Sequence, residues 1–123
     1  MNIKDIKFKA KRLDNGEWVE GDLIHKNNGV YVYNPQIVNK RGYSVQSIRI
    51  DSHTVCMFTG LKDTNDVPIF EGDIIAFDGE GEVVFKDGAF YAKFGKYTEC
   101  LLCNLLKSGL SVTIIGNKFD KDK

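Results

Sequence analysis

The sequence predicts an all-β chain of two small β subdomains, with one short helix near residues 98–107. Three observations predict it. Apolar and polar residues alternate with the two-residue period of a strand in one segment after another. Clusters of Asn, Asp and Gly separate those segments at spacings of ~8–12 residues, the rhythm of a small barrel or sandwich. At 123 residues, 42% apolar and 11% aromatic, the chain can build one core or two small ones.

In the first segment Ile6, Phe8 and Ala10 alternate with Lys7, Lys9 and Lys11, giving one dry and one wet face. Asp14-Asn15-Gly16 tolerates positive φ and reverses the chain. Residues 18–24 return as a second strand, and Lys26-Asn27-Asn28-Gly29 is the next turn. Val30-Tyr31-Val32-Tyr33 is β-branched and aromatic throughout. Alternation puts the valines on one face and the tyrosines on the other, without deciding which face is core. Asn34-Pro35 breaks this strand, and residues 39–42 are a loop. Residues 43–50 alternate again, with Tyr43, Val45, Ile48 and Ile50 inward. The step from Val45 to Ile48 is out of phase and predicts a bulge or register change. Asp51-Ser52-His53 marks a boundary. The expected units are therefore 1–54 and 55–119, followed by a solvated tail at 120–123.

In the second unit residues 55–58 are apolar and Asp63-Thr64-Asn65-Asp66 is a turn. Pro68 cannot donate to a sheet ladder, so its segment belongs at an edge or crosses over. Ile74-Ile75-Ala76-Phe77, Val83-Val84-Phe85 and residues 89–94 make a meander, punctuated by Gly79, Gly81 and Asp87-Gly88. Thr98 is placed to cap a helix that carries Leu101, Leu102, Leu105 and Leu106 and ends at Ser108-Gly109. So short a helix must dock on the strands to persist. Val112-Thr113-Ile114-Ile115 is the closing strand. The core is expected at Phe8, Trp18, Val55, Phe58, Leu61, Ile74 and Phe77, then at Val83, Phe85, Phe90, Leu102, Leu105, Val112 and Ile114.

Charged residues are 28% of the chain and balance to zero, which argues against a protein whose main work is neutralising phosphates. Residues 1–54 hold nine Lys or Arg against six acids, and residues 55–123 hold eight against eleven, so +3 faces −3. Two solvated faces of opposite sign explain this. Its functional counterpart is head-to-tail contact between copies. Cys56, Cys100 and Cys103 are an odd number without framework spacing, and residues 3–7 lack the apolar run of a secretory signal. No apolar run approaches the ~20 residues of a membrane span. The expectation is a soluble protein of a reducing cytoplasm, with free thiols and no membrane contact.

Several motifs look chemical. Phe58-Thr59-Gly60-Leu61-Lys62-Asp63 could present Thr59 and Lys62 to an anion, but it lacks the second glycine and Lys-Ser/Thr pair of a phosphate loop. A strand-end turn, with Leu61 in the core, is the expected reading. Glu71-Gly72-Asp73 pairs two carboxyl groups without a histidine or third acid at local spacing. Asp73 is expected to hydrogen-bond backbone near itself. Asp78-Gly79-Glu80-Gly81-Glu82 lacks the ligand spacing of a calcium loop and reads as a hairpin tip. Cys100-Leu101-Leu102-Cys103 has no second pair to complete a zinc site, and two leucines on a helix would bury both thiols. His25 and His53 have no nucleophile at a recognisable spacing. No catalytic, metal or cofactor residues are assigned, and no cofactor is expected. The remaining candidates for a contact surface are Lys7, Lys9, Lys11, Tyr31, Tyr33 and Lys62, because aromatics beside lysines on a β surface can stack exposed bases.

Four pieces, in order, resemble the YopX family of phage and prophage proteins. They are Ile6-Lys7-Phe8-Lys9-Ala10 with Glu17-Trp18-Val19-Glu20-Gly21; residues 58–65 with Ile69-Phe70-Glu71-Gly72-Asp73-Ile74; Gly81-Glu82-Val83-Val84-Phe85 with Asp87-Gly88-Ala89-Phe90; and residues 112–115 with Gly116-Asn117-Lys118-Phe119. The second piece is the specific one. Residues 34–54 match little, and the chain stops soon after Gly116-Asn117, where relatives often run on. The resemblance implies a two-subdomain β chain whose C-terminal part is an SH3-like barrel. It also implies a phage or prophage origin and no known catalytic residues. The expected function is that of a non-catalytic accessory protein that binds or assembles as a homo-oligomer, with a phage or host protein as a further partner. The alternative is a nucleic-acid-binding module that uses the basic N-terminal half.

Overall fold

The computed structural model describes residues 2–43 and 47–120. The chain forms two units, Met1–Met57 and Phe58–Lys123, and strands dominate both.

The first unit holds β1 (Phe8–Lys11), β2 (Trp18–Lys26), β3 (Gly29–Tyr33), β4 (Ile48–Arg49) and the first residues of β5 (Cys56–Lys62). They pair antiparallel in the order β4-β3-β2-β1-β5. The register sets Ala10 opposite Val19 and Leu23 opposite Val32. Ala10, Val19, Val32, Ile48 and Ile50 form the core, with Leu23, Val30, Ile37 and Val55 packed on it. This decides what alternation alone left open. The valines of β3 face inward, and Tyr31 and Tyr33 take the opposite face. Trp18, expected in the core, lies opposite Lys11 and is half-buried, on the face away from Ala10 and Val19. Thr54 ties the end of the unit to β1. Its hydroxyl accepts from the Lys11 backbone N–H at 2.8 Å and donates to the Asp51 carbonyl at 2.7 Å.

Two expectations for residues 43–50 are corrected. Tyr43 is 68% exposed, not inward, because Asn39 gathers a tight loop whose side chain accepts from the Tyr43 N–H. Among the described residues of this stretch, Ile48–Arg49 alone forms a strand. Val45 lies outside the described residues, and so does most of the step where a register change was expected.

In the second unit β5 continues from Phe58 and pairs with β6 (Pro68–Phe70), which ends its sheet as Pro68 requires. A second antiparallel sheet holds β7 (Asp73–Ala76), β8 (Glu80–Lys86), β9 (Ala89–Phe94), β10 (Thr98–Leu101) and β11 (Thr113–Asn117), in the order β10-β9-β8-β7-β11. The sheet is not closed into a barrel, since β10 and β11 stand at opposite edges. The core, Ile69, Ile75, Val83, Ala92, Leu102, Leu105 and Val112, draws on β6, on the sheet and on the short helix α1 (Leu102–Leu106). Ile75, not Ile74, is the fully buried member of its pair.

The helix is shorter than expected. Residues 98–101 pair with β9, setting Cys100 opposite Ala92 and Leu101 opposite Tyr91, so Thr98 caps nothing. Leu101 precedes the helix without a side-chain cap. Phe85 was expected in the core and is 50% exposed. It pairs with Phe90 next to the turn, where the hairpin outruns the core, and the two rings meet at a tilt with centroids 4.9 Å apart. Gly81 is buried for a steric reason, because a Cβ there would lie 2.6 Å from the Phe94 ring.

Candidate functional site

The polar residues from Thr59 to Asp73 look most like a catalytic signature, and most of them are turned onto the backbone. Thr59 donates to the Ile69 carbonyl at 2.8 Å and accepts from the Leu61 N–H at 3.1 Å. Gly60, at φ +83°, supplies the left-handed residue of an irregular stretch where the β5–β6 register shifts. Asp63 is buried. One carboxyl oxygen accepts from the N–H groups of Asn65 and Val67, each at 2.9 Å, and the other from Ile114 at 3.0 Å. Asp73 is 1% exposed and accepts from the Phe70 N–H at 2.8 Å and the Asn117 amide at 3.0 Å. Both carboxyl groups therefore fasten β11 or its flank to the motif. The expected local bond of Asp73 is present, and the bond to Asn117, 44 residues on, is the part that spacing did not reveal. Lys62 is exposed, 3.7 Å from Asp66, and lies in the second unit, apart in sequence and fold from the other candidate lysines.

Those others converge. Lys9 and Lys11 alternate with the buried Ala10, and their ammonium groups stand 4.8 and 5.4 Å from the centre of the Trp18 ring. Lys7 immediately precedes β1. Tyr31 and Tyr33 occupy the same face of the sheet two strands away, opposite Ile24 and Asp22. Lys26, at the end of β2, sits 4.4 Å above the Tyr31 ring, and the Tyr31 hydroxyl donates to Asn28 at 3.2 Å. Arg49 is the cross-strand neighbour of Tyr31 on β4. Ammonium groups over rings at these distances are cation–π contacts. Glu20 and Asp22 share the face, so it mixes cations, rings and two acids.

Sequence reasoning missed Lys26 and Arg49. The hairpin turn at residues 26–29 carries a signal for Lys26, because a two-residue turn sets it opposite Gly29. Arg49 has none, since its place depends on a pairing with β3 across the poorly patterned residues 34–47.

Two clefts bear on the remaining candidates. One in the first unit, about 460 Å³, is lined by Arg12, Leu13, Asp14, Ser47, Ile48 and Arg49. Arg12 grips Asp14 with two parallel bonds, at 2.9 and 2.8 Å. That bidentate bond holds the Asp14 carboxyl below its ordinary range and raises Arg12 further. The other, about 370 Å³ in the second unit, is lined by Phe77, Asp78, Phe94, Thr98, Cys100 and Leu105. Partial burial pushes the Cys100 thiol up, which makes it a poorer nucleophile. The expectation that one helix buries both thiols of Cys100 and Cys103 is corrected: Cys100 lies on β10 and Cys103 on α1, both are half-buried, and of the three free cysteines only Cys56, outside that motif, is buried. His25 and His53 are exposed, and His53 stands 3.4 Å from Asp51. Among the described residues no three His, Cys, Asp or Glu gather as a metal site, and no helix is long and apolar enough to cross a membrane.

The comparisons with known proteins agree with this architecture. A family model described as YopX protein matches residues 7–122, nearly the whole chain. No curated protein matches. Among solved structures the chain is similar to protein EF1440 from Enterococcus faecalis, at 25% identity and a TM-score of 0.60, over 94% of this chain and 96% of that one.

Proposed function

The chain belongs to the YopX family, and on that premise we propose that it is a non-catalytic accessory protein of a phage or prophage that works in the bacterial cytoplasm by binding, as a homo-oligomer. One observation carries the reading. The carboxyl groups of Asp63 and Asp73, which give the central motif its catalytic look, are buried and engaged by backbone and amide N–H groups. The outward face of the first sheet sets rings under cations beside the two acids Glu20 and Asp22, groups suited to binding. Among the described residues the edge strands β6 and β10 supply ladders that a second copy can extend, whereas β4 is bridged through Ile50 to Arg12 and β11 is held at Ile114 by Asp63. The second unit we read as an SH3-like barrel left open between β10 and β11. A phage or host protein is the further partner.

Light scattering on the purified chain tests the oligomer. A mass of two or more chains is the expected result, and a mass of one chain across a concentration series overturns it.

A second reading, a nucleic-acid-binding module, is favoured by the lysines that stand over Trp18 and Tyr31. It requires a salt-dependent shift of single-stranded DNA or RNA; loss of that shift when Lys7, Lys9 and Lys11 are replaced together would place the contact on β1.

A further inference from the structure

We propose that Lys26, Arg49 and Tyr31 form a phosphate-contacting site for single-stranded nucleic acid, an inference that rests on the second reading above and places its contact away from β1. All three lie on one face. Lys26 pairs across the hairpin with Gly29, and Tyr31 pairs across β3–β4 with Arg49. Lys26 and Arg49 are exposed, and neither forms an ion pair among the described residues. In the second unit two lysines are paired, Lys86 with Glu99 and Lys118 with Glu82 at 3.5 Å, and Lys93 of β9 stands between Glu82 and Glu99 in register.

Gly29 is what lets the cluster form. A Cβ there would lie 2.8 Å from Arg49 Nε and 3.1 Å from Nη2, so the guanidinium lies against the bare backbone of Gly29, two residues before Tyr31. The ring is itself held by its hydroxyl bond to Asn28. A lysine ammonium over a fixed ring, with an arginine fork carried by that ring's cross-strand neighbour, suits a phosphodiester with a base next to it. Tyr33 follows on the same face two residues along, about 6.6 Å away at ordinary strand rise, and offers a second ring to a splayed strand. Asp22, opposite Tyr33, is the one acid directly beside these rings, and it confines the phosphate to the Lys26–Arg49 end. Two local cations amid a balanced chain predict a shallow salt dependence, with a log–log slope near −1.4 for about two phosphates on a single strand.

The test is fluorescence anisotropy of a labelled oligothymidylate with the full chain over a salt series. Arg49→Ala and Lys26→Ala should each weaken binding about tenfold and flatten the slope by about half. Arg49→Lys should recover part of the loss. Gly29→Ala keeps every charge and should weaken binding like Arg49→Ala, because it displaces the guanidinium. Circular dichroism checks that it folds, and if it does not, the arginine variants decide alone. Unchanged binding by both alanine variants, with loss on replacing Lys7, Lys9 and Lys11, overturns this site and leaves the nucleic-acid reading standing. No binding by the parent at low salt overturns both. Equal affinity for a blunt duplex also overturns the site, since paired bases cannot reach the rings.

Discussion

The two units solve the same problem, an antiparallel sheet with one dry face, and they use their polar residues in opposite ways. The second unit turns its acids inward. Asp63 and Asp73 reach across long sequence separations to fasten β11, and the lysines outside are matched with glutamates. The first unit's core cluster is apolar, with Thr54 the buried polar side chain at its end, and the unit sets rings under cations on the other face. A polar motif that reads as chemistry is therefore holding structure, while an ordinary-looking hairpin carries the groups suited to a ligand. Polar side chains in the second unit should govern stability, and those on the first sheet should not.

The largest expected effect tests that division directly. Asp73→Ala removes the acceptor of the Phe70 N–H and of the Asn117 amide at a site only 1% exposed. Leaving two buried donors unsatisfied should cost about 3 kcal/mol, read from urea denaturation of the second unit. Lys26→Ala on the first sheet should stay within ~0.5 kcal/mol of the parent. Similar losses for the two variants would erase the contrast.

A smaller effect sharpens it from the packing side. Gly81→Ala drives a methyl group into the Phe94 ring and should cost about 1–2 kcal/mol. Phe94 is half-buried and can yield a little, which limits the cost. The double variant Gly81→Ala with Phe94→Leu should recover much of the loss. A double variant no better than the single one would show that the glycine serves the backbone of β8 instead.

How much of this was legible in the sequence follows from range. Local signals were read well. Alternation found β1 to β3, the Asn- and Asp-Gly turns placed the hairpins, and Pro68 marked an edge. Signals that depend on a partner were not. Residues 98–101 look helical through Leu101 and Leu102 but pair with β9, because ladder bonds to a formed hairpin outweigh the weak preference of a four-residue segment. Phe85 has the right parity for the core and lies too near its turn to reach it. Of the candidate surface, Lys9, Lys11, Tyr31 and Tyr33 do share a face, which period-two counting within each strand makes visible. Arg49 joins them only through the β3–β4 pairing, which no local pattern encodes. The single letter of Asp73 likewise says nothing of Asn117.

The smallest effect comes from one exposed ion pair in each unit. In the first a direct bond shifts the titrations of Arg12 and Asp14, and in the second the bond to Glu99 raises that of Lys86. The signs differ. Asp14 titrates lower in the folded chain, so its contribution is present above the ordinary carboxylate range and fades as pH falls through the folded value. Lys86 titrates higher, so its contribution is present below the ordinary lysine value and fades as pH rises through the folded one. The first unit's pair thus acts on the acid limb and the second unit's on the alkaline limb. Both pairs are solvent-exposed, where water and salt screen the attraction and ordering long side chains opposes it. Asp14→Asn and Glu99→Gln should therefore leave the denaturation midpoint unresolved from the parent at neutral pH, and the two limbs should keep their shape. A midpoint shift as large as that of Gly81→Ala, in either variant, would mean that surface charge contributes to stability after all. The contrast between inward acids and outward pairs would then lose its energetic basis.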